Sequence, residues 1–351
     1  MLQKRIKTNY TDLLILFIFI VILIIFSNFN DLISSKSFYY NTINILFLYN
    51  IFVGFILSQK ITKNDILLIN EKLVIFFLII GLPFHFILII YPDLVNYLIN
   101  YTYGGISHKT LIILNTHISS TGMYEGRFMS FAWEPGIMQL LLNLALFNRL
   151  KRYNYKFDIY SFILVIGIIL TFSTAGYFIC FLVLLLTKQF FKPLFLLTLL
   201  ITSPFIFKFI YDAIQFQITY KLINSNSFDG RYGRLFSLFK NWDYYHLIFG
   251  HGSNYYDLEL KQQDLGGFDS FTNVIQRYGL ISVLFLSICL FINNNKMVAL
   301  ILILTFLSQP IWSAPFIVMF YFRGNRSRIN KILPNKKYED SLDIKCTALQ
   351  F

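Results

Sequence analysis

Runs of Ile, Leu and Phe recur from one end of the chain to the other, and they limit the fold more than any motif does. A backbone in lipid has no water to bond, so every peptide group must be satisfied internally and such runs become helices. Hydrophobic residues make up 56% and charged residues 14% of the 351, with mean hydropathy +0.60. A soluble domain is about a quarter charged. The pattern predicts an all-α, polytopic membrane protein, with residues 1–351 forming one integral domain. The first run, Leu13 to Phe26, reads as a retained helix. No small-residue cleavage site follows it, and Asn28-Phe29-Asn30-Asp31 does.

The spacing predicts ten helices near 13–27, 43–58, 73–91, 130–147, 159–172, 174–187, 193–210, 273–292, 297–308 and 311–322. Lys and Arg collect on cytoplasmic loops, which sets the orientation. The segments 1–12, 59–72, 148–158, 188–192, 293–296 and 323–351 carry 20 of the 30 Lys and Arg residues, whereas 28–42, 92–127 and 211–272 carry 8. Both termini are therefore expected in the cytoplasm. The tail, 323–351, carries Arg323, Arg326, Arg328, Lys331, Lys336 and Lys337 beside anionic lipid. The outward stretch 211–272 is expected to be one large external loop, too long to lack a role.

Segments 159–187 and 297–322 are long for one span and short for two. Each has a breaking centre, Ser173-Thr174-Ala175-Gly176 and Ser308-Gln309-Pro310 respectively. Irregular backbone at that depth needs protein or a wet cavity around it. Both segments are expected to be shallow hairpins whose tips border an outward cavity.

Several functions drop out. Cys180 and Cys289 lie in apolar helices and Cys346 in the tail, so no disulfide framework or zinc spacing arises. The net charge of +12 sits in short connectors rather than on a nucleic-acid face. No dinucleotide, P-loop or metalloprotease motif is present.

The polar residues that remain are the candidates. Arg127 lies on the side where cations are sparse. Glu134 precedes Pro135 at a helix start, where a carboxylate serves as an N-terminal cap, as a general base, or as a partner orienting an arginine. Arg231 and Arg234, three apart, suit a pyrophosphate if helical and otherwise pair with loop acids such as Asp229. His251, between Gly250 and Gly252, is a titratable ring on a flexible kink. Asp269 is either a helix cap or a base. Arg277 lies about one turn into the following helix, where an ion is costly.

This ordered set resembles the O-antigen polymerase and ligase superfamily over roughly residues 120–292. The carriers are Arg127 through Gly136, the tip at 171–176, and the arginines of the loop. They continue with Phe249-Gly250-His251-Gly252, Asp269-Ser270-Phe271 and Arg277-Tyr278-Gly279-Leu280. The resemblance implies a bacterial inner-membrane glycosyltransferase without cofactor or metal, in keeping with the lack of an Asp-x-Asp pair. The substrates it implies are glycans on undecaprenyl pyrophosphate, joined into O-antigen or capsule-type polysaccharide, with a chain-length regulator as partner. The ligase branch has a His-Asn-type pair where this chain reads Phe268-Asp269-Ser270, which turns the expectation to the repeat-unit polymerase branch. Within it, Arg127, Arg231, Arg234 and Arg277 are expected on pyrophosphate, and Glu134, His251 or Asp269 as the base. An O-antigen ligase and a lipid-linked oligosaccharide flippase are the alternatives.

Overall fold

The structure, a computed structural model, describes residues 10–23, 38–103, 106–111, 114–118, 124–132, 134–187, 242–252 and 269–324. Helices dominate them: α1 (Tyr10–Val21), α2 (Phe38–Lys60), α3 (Lys63–Ile90), α4 (Pro135–Arg152), α5 (Ile159–Leu170), α6 (Thr174–Leu186), α7 (Tyr244–Phe249), α8 (Ser270–Asn293), α9 (Lys296–Phe306) and α10 (Pro315–Val318). Two of these, α3 and α8, are long and apolar enough to cross a membrane. The helix expected at 193–210, most of the 211–272 loop with Arg231 and Arg234, and the tail beyond Gly324 lie outside the described residues.

Local chemistry explains the boundaries. A capping box starts α3: the Thr62 hydroxyl accepts from the Asp65 N–H at 3.2 Å, and the Asp65 carboxylate accepts from the Thr62 N–H at 3.3 Å. Asp158 caps α5 and Ser173 caps α6 by side-chain bonds to the third residue on. Pro135 opens α4, and Arg149, Lys151 and Arg152 close it, matching the helix dipole at its negative end.

α4 is the spine. Fifteen of its 18 residues are buried, from Pro135 to Leu150, which marks a helix enclosed on every side. α3, α5, α6 and α9 pack around it. Short helix pairs meet it twice. α5 and α6, of 12 and 13 residues, are joined through Thr171-Phe172-Ser173, where Phe172 takes a positive φ of 49°. A 13-residue helix rises about 20 Å, less than a bilayer core of about 30 Å. The second pair departs from the helix expected at 311–322. After α9 the chain runs irregularly through 307–314 and re-forms only α10 and a single 3-10 turn, Met319–Tyr321. Pro310 and Pro315 cannot donate backbone hydrogen bonds, so a continuous helix does not form there.

The all-α expectation is corrected at 99–130. Strands β1 (Ile99–Tyr103), β2 (Ile106–Leu111), β3 (Leu114–Ile118) and β4 (Tyr124–Ser130) form an antiparallel meander in the order β1-β2-β3-β4. Thr, Tyr and Ile favour pleated backbone there, and successive short connections suffice to pair neighbours. A bulge near Asn115 and Thr116 shifts the β3–β4 register. The sheet seats on α3 at Gly81, whose missing side chain admits Phe128, and the Ser130 hydroxyl donates to the Phe77 carbonyl at 3.2 Å.

One end of the bundle is clasped by charge. Buried Glu71 of α3 accepts from Asn148 at 2.6 Å, Arg149 at 3.2 Å and Arg152 at 3.1 Å. Arg149 also grips Asp158 and lies 4.6 Å over the rings of Tyr153 and Tyr160. Burial works against ionisation of Asp158, yet bonds from Arg149 and Ser161 outweigh it and hold the carboxyl below its ordinary value. At the same end Lys63 donates to the Asn293 carbonyl and the Asn294 side chain, at 2.7 and 2.8 Å. Buried Asp12 accepts from the Arg323 and Gly324 amides and from Gln59. Replacing Glu71 by Gln removes one of the two carboxylates that face Arg149 and leaves Asp158 as its counter-charge. It is expected to cost about 1–3 kcal/mol in denaturant unfolding of the purified protein, and no measurable loss contradicts the clasp.

Candidate functional site

The opposite end gathers four element starts and tips. Glu134 is the residue before α4, with extended backbone (φ −146°, ψ 147°), and its carboxylate does not cap the helix. Of the roles open to it in sequence, the side-chain cap is therefore not taken. Arg127 lies on β4, within electrostatic reach of the Tyr177 hydroxyl at the start of α6. These two candidates thus flank the junction of α4 and α6.

Behind Glu134 lies a polar stripe that the sequence reading missed. Gly136, Gln139 and Asn143 recur at the spacing of one helix face. Asn143 donates through Nδ2 to the Gln139 carbonyl at 2.9 Å, to Gln139 Oε1 at 3.1 Å and to the Gly176 carbonyl of α6 at 3.3 Å. Gln309, from the irregular link after α9, lays its amide against Gly136: a Cβ there would come within 1.8 Å of Gln309 Nε2. Amides in an otherwise apolar helix were the available signal, because polar groups at such depth are costly without partners.

The start of α8 is bolted to the same link. Ser270 donates from its amide and hydroxyl to the Gln309 carbonyl at 3.0 and 2.5 Å, and its hydroxyl accepts from the Ile311 and Trp312 amides at 2.8 and 3.1 Å. Asp269 is the cap of α8. Its two carboxylate oxygens accept from the Thr272 amide and hydroxyl, each at 2.9 Å, and the residue is 1% exposed. Those bonds give Asp269 a positioning job at the helix start.

Arg277 and His251 come together around a break in α8. Gly279 is non-helical (φ +77°), and the carbonyls of Gln276 and Arg277 accept instead from the amides of His251 and Gly252 at 2.9 and 3.0 Å. The approach requires glycine on both sides. A Cβ on Gly279 would lie 1.9 Å from the Ile248 carbonyl oxygen, and one on Gly250, also at positive φ, 2.5 Å from the Arg277 carbonyl. Buried Arg277 lies 5.5 Å over Phe47, whose ring packs on Trp312. His251 stacks on His246 at 4.0 Å and meets Trp242 in a tilted contact at 4.4 Å, while Asp243 caps α7 and contacts the His246 ring at 2.5 Å. Burial first, and His246 second, push His251 down to about 4 against the opposing pull of Asp243. The ring is therefore neutral near pH 7.

Glu134 and Asp269 thus lie next to the two residues that meet Gln309 (Gly136 and Ser270), Arg127 faces Tyr177 of α6, and Arg277 with His251 flanks the break in α8. Arg231 and Arg234 lie outside the described residues. No group of three or more His, Cys, Asp or Glu able to hold a metal exists among the described residues. No protein-family model, curated protein or solved structure matches the chain.

Two outcomes follow from the α8 break. Gly279→Ala is expected to undock residues 242–252, read as faster hydrogen exchange at the amides of His251 and Gly252; unchanged protection contradicts the interlock. The pH dependence has a definite sign. The docked pKa of His251 is depressed below the undocked value of about 6.5, so docking is strongest above that value. It weakens as pH falls from about 6.5 towards 4, and exchange at these amides is expected to rise beyond its intrinsic pH dependence across that window.

Proposed function

We propose that the protein is a repeat-unit polymerase of bacterial envelope polysaccharide, acting at the outer face of the inner membrane. In this reading the chain crosses the bilayer several times, the two short helix pairs enter it without crossing, and both termini are cytoplasmic. The clasped end faces the cytoplasm, and the end bearing Glu134 faces the periplasm. The observation that carries the reading is the meeting of Arg127 and Glu134 with the tips of two short helix pairs. Glu134, whose side chain does not cap α4, stands at the start of the helix that packs on α6, and Arg127 is within electrostatic reach of Tyr177 on α6.

The chemistry assigns each group a task. The donor is a growing glycan on undecaprenyl pyrophosphate. The oxygen of an acceptor hydroxyl, on a newly delivered lipid-linked repeat unit, forms a bond to the anomeric carbon. The bond from that carbon to the phosphate oxygen breaks, and its electron pair leaves with the diphosphate. Arg127, joined by Arg231 and Arg234 of the outer loop and by Arg277, offsets the charge that develops on the leaving group. Glu134 takes the hydroxyl proton and returns it to water after release. His251, neutral near pH 7, is the alternative acceptor of that proton at the α8 break, while Asp269 holds the start of α8 in place.

Lipid-linked glycans and membrane lipids are the partners this reading requires, and a chain-length regulator is compatible with it. The test uses gene deletion and point variants in the source bacterium. Deletion is expected to leave acceptors capped with a single repeat, and Arg127→Ala, Arg231→Ala and Glu134→Gln to abolish long chains at normal protein level. Finished polymer accumulating on undecaprenyl pyrophosphate identifies a ligase instead, and unflipped repeat units a flippase. Normal chain length in a point variant removes that residue from the mechanism.

A further inference from the structure

The stripe behind Glu134 carries polar atoms that no other described residue hydrogen-bonds. Gln139 and Asn143 are 0% exposed and Gln309 8%. Gln139 Nε2, Asn143 Oδ1 and Gln309 Oε1 have no hydrogen-bond partner among the described residues. The orientation of Asn143 is fixed, because its Nδ2 faces two backbone carbonyls. Buried amide atoms without partners destabilise a fold, whereas apolar side chains of the same shape do not. A bundle that needed only packing at this place has no use for them.

Two glycines open the space for these amides. A Cβ on Gly176 would lie 2.9 Å from Gln139 Cβ and 3.2 Å from its Oε1, and one on Gly136 would overlap the Gln309 amide. The chemistry of the stripe is selective. It offers one N–H donor and two carbonyl acceptors and carries no charge. A phosphate needs cations, a metal ion needs anions, and a lipid tail leaves all three atoms unpaired. A hydroxyl both donates and accepts, and so matches the set. Glu134 lies two residues before Gly136, against which the Gln309 amide packs.

We infer that Gln139, Asn143 and Gln309 form a neutral, hydroxyl-recognising saccharide subsite that holds the acceptor sugar beside Glu134. It rests on the polymerase reading for its sugar-bearing substrate, and it assigns the acceptor to the amide stripe and the diphosphate to the arginines. The three amides are positioning residues: they hold the ring whose hydroxyl reacts.

The full-length protein in lipid nanodiscs is the sample, and its thermal midpoint the readout. Three probes are used: sugar-free undecaprenyl pyrophosphate, the lipid-linked glycan that accumulates on deletion of the protein, and the same saccharide released from its lipid. The wild type is expected to gain more from the glycan-bearing lipid than from the sugar-free lipid, and to respond to the released saccharide. Gln139→Met and Gln309→Met keep the side-chain volume and remove the amide. Each is expected to raise the unliganded midpoint by about 2 °C or more. Each is also expected to respond normally to the sugar-free lipid and to bind the released saccharide at least about tenfold more weakly, a loss of about 1.4 kcal/mol. A saccharide response kept in both variants, or absent from the wild type, overturns the inference. A wild type that ignores the sugar-free lipid but responds to the saccharide removes the diphosphate reading and leaves the subsite standing.

Discussion

The enclosure of α4 is the constraint on which the other features depend. A helix buried on all sides cannot send its polar groups to solvent, so every such group must find a protein partner or have a use. Its two ends meet that demand in opposite ways. At the Arg149 end the charges are answered in full by Glu71, Asp158 and two aromatic rings. At the Glu134 end the carboxylate does not cap its helix, and the amides one and two turns further on are only partly bonded. A fold that closes one end with paired charges and keeps partly bonded amides near the other has put rigidity and polar recognition at separate places.

The neighbours of α4 reinforce that division. The breaks in the two short helix pairs fall at the Glu134 end, where Gly176 and Gln309 reach the stripe, and Ser270 ties α8 to the same link. The break in α8 at Gly279 works differently. It exposes two carbonyls, and the Gly250-His251-Gly252 backbone supplies the two amides that answer them. A segment distant in sequence thereby becomes part of the helix that carries Arg277.

Much of this layout was legible in the residues. The breaking centres at Ser173 and Pro310 stand out in apolar surroundings, and the chain turns or loses its helix at both. Gly250 and Gly279 stood among the singled-out motifs, but only the folded chain brings them face to face, because their relation is a contact between segments distant in sequence. The sheet at 99–130 was overlooked although Gly104-Gly105 separates two runs rich in Ile, Tyr and Thr, a hairpin signature. The long apolar helices on either side drew the segment into an outer loop. The amide stripe escaped because Gln139 and Asn143 have no charge, and Gln309 joins them only through tertiary packing. Arg231 and Arg234 stay readings of sequence alone.

The account stands on the two ends of the bundle facing opposite sides of the membrane. Tyr91, at the end of α3 near the sheet, and Tyr153, after α4 at the clasped end, are both exposed and suit cysteine substitution in a protein whose native cysteines are replaced. Labelling intact cells with a membrane-impermeant maleimide measures their sidedness directly. The account predicts that Tyr91→Cys reacts at once and Tyr153→Cys only after permeabilisation. The reverse pattern puts Arg127 and Glu134 in the cytoplasm and contradicts a periplasmic glycan polymerase.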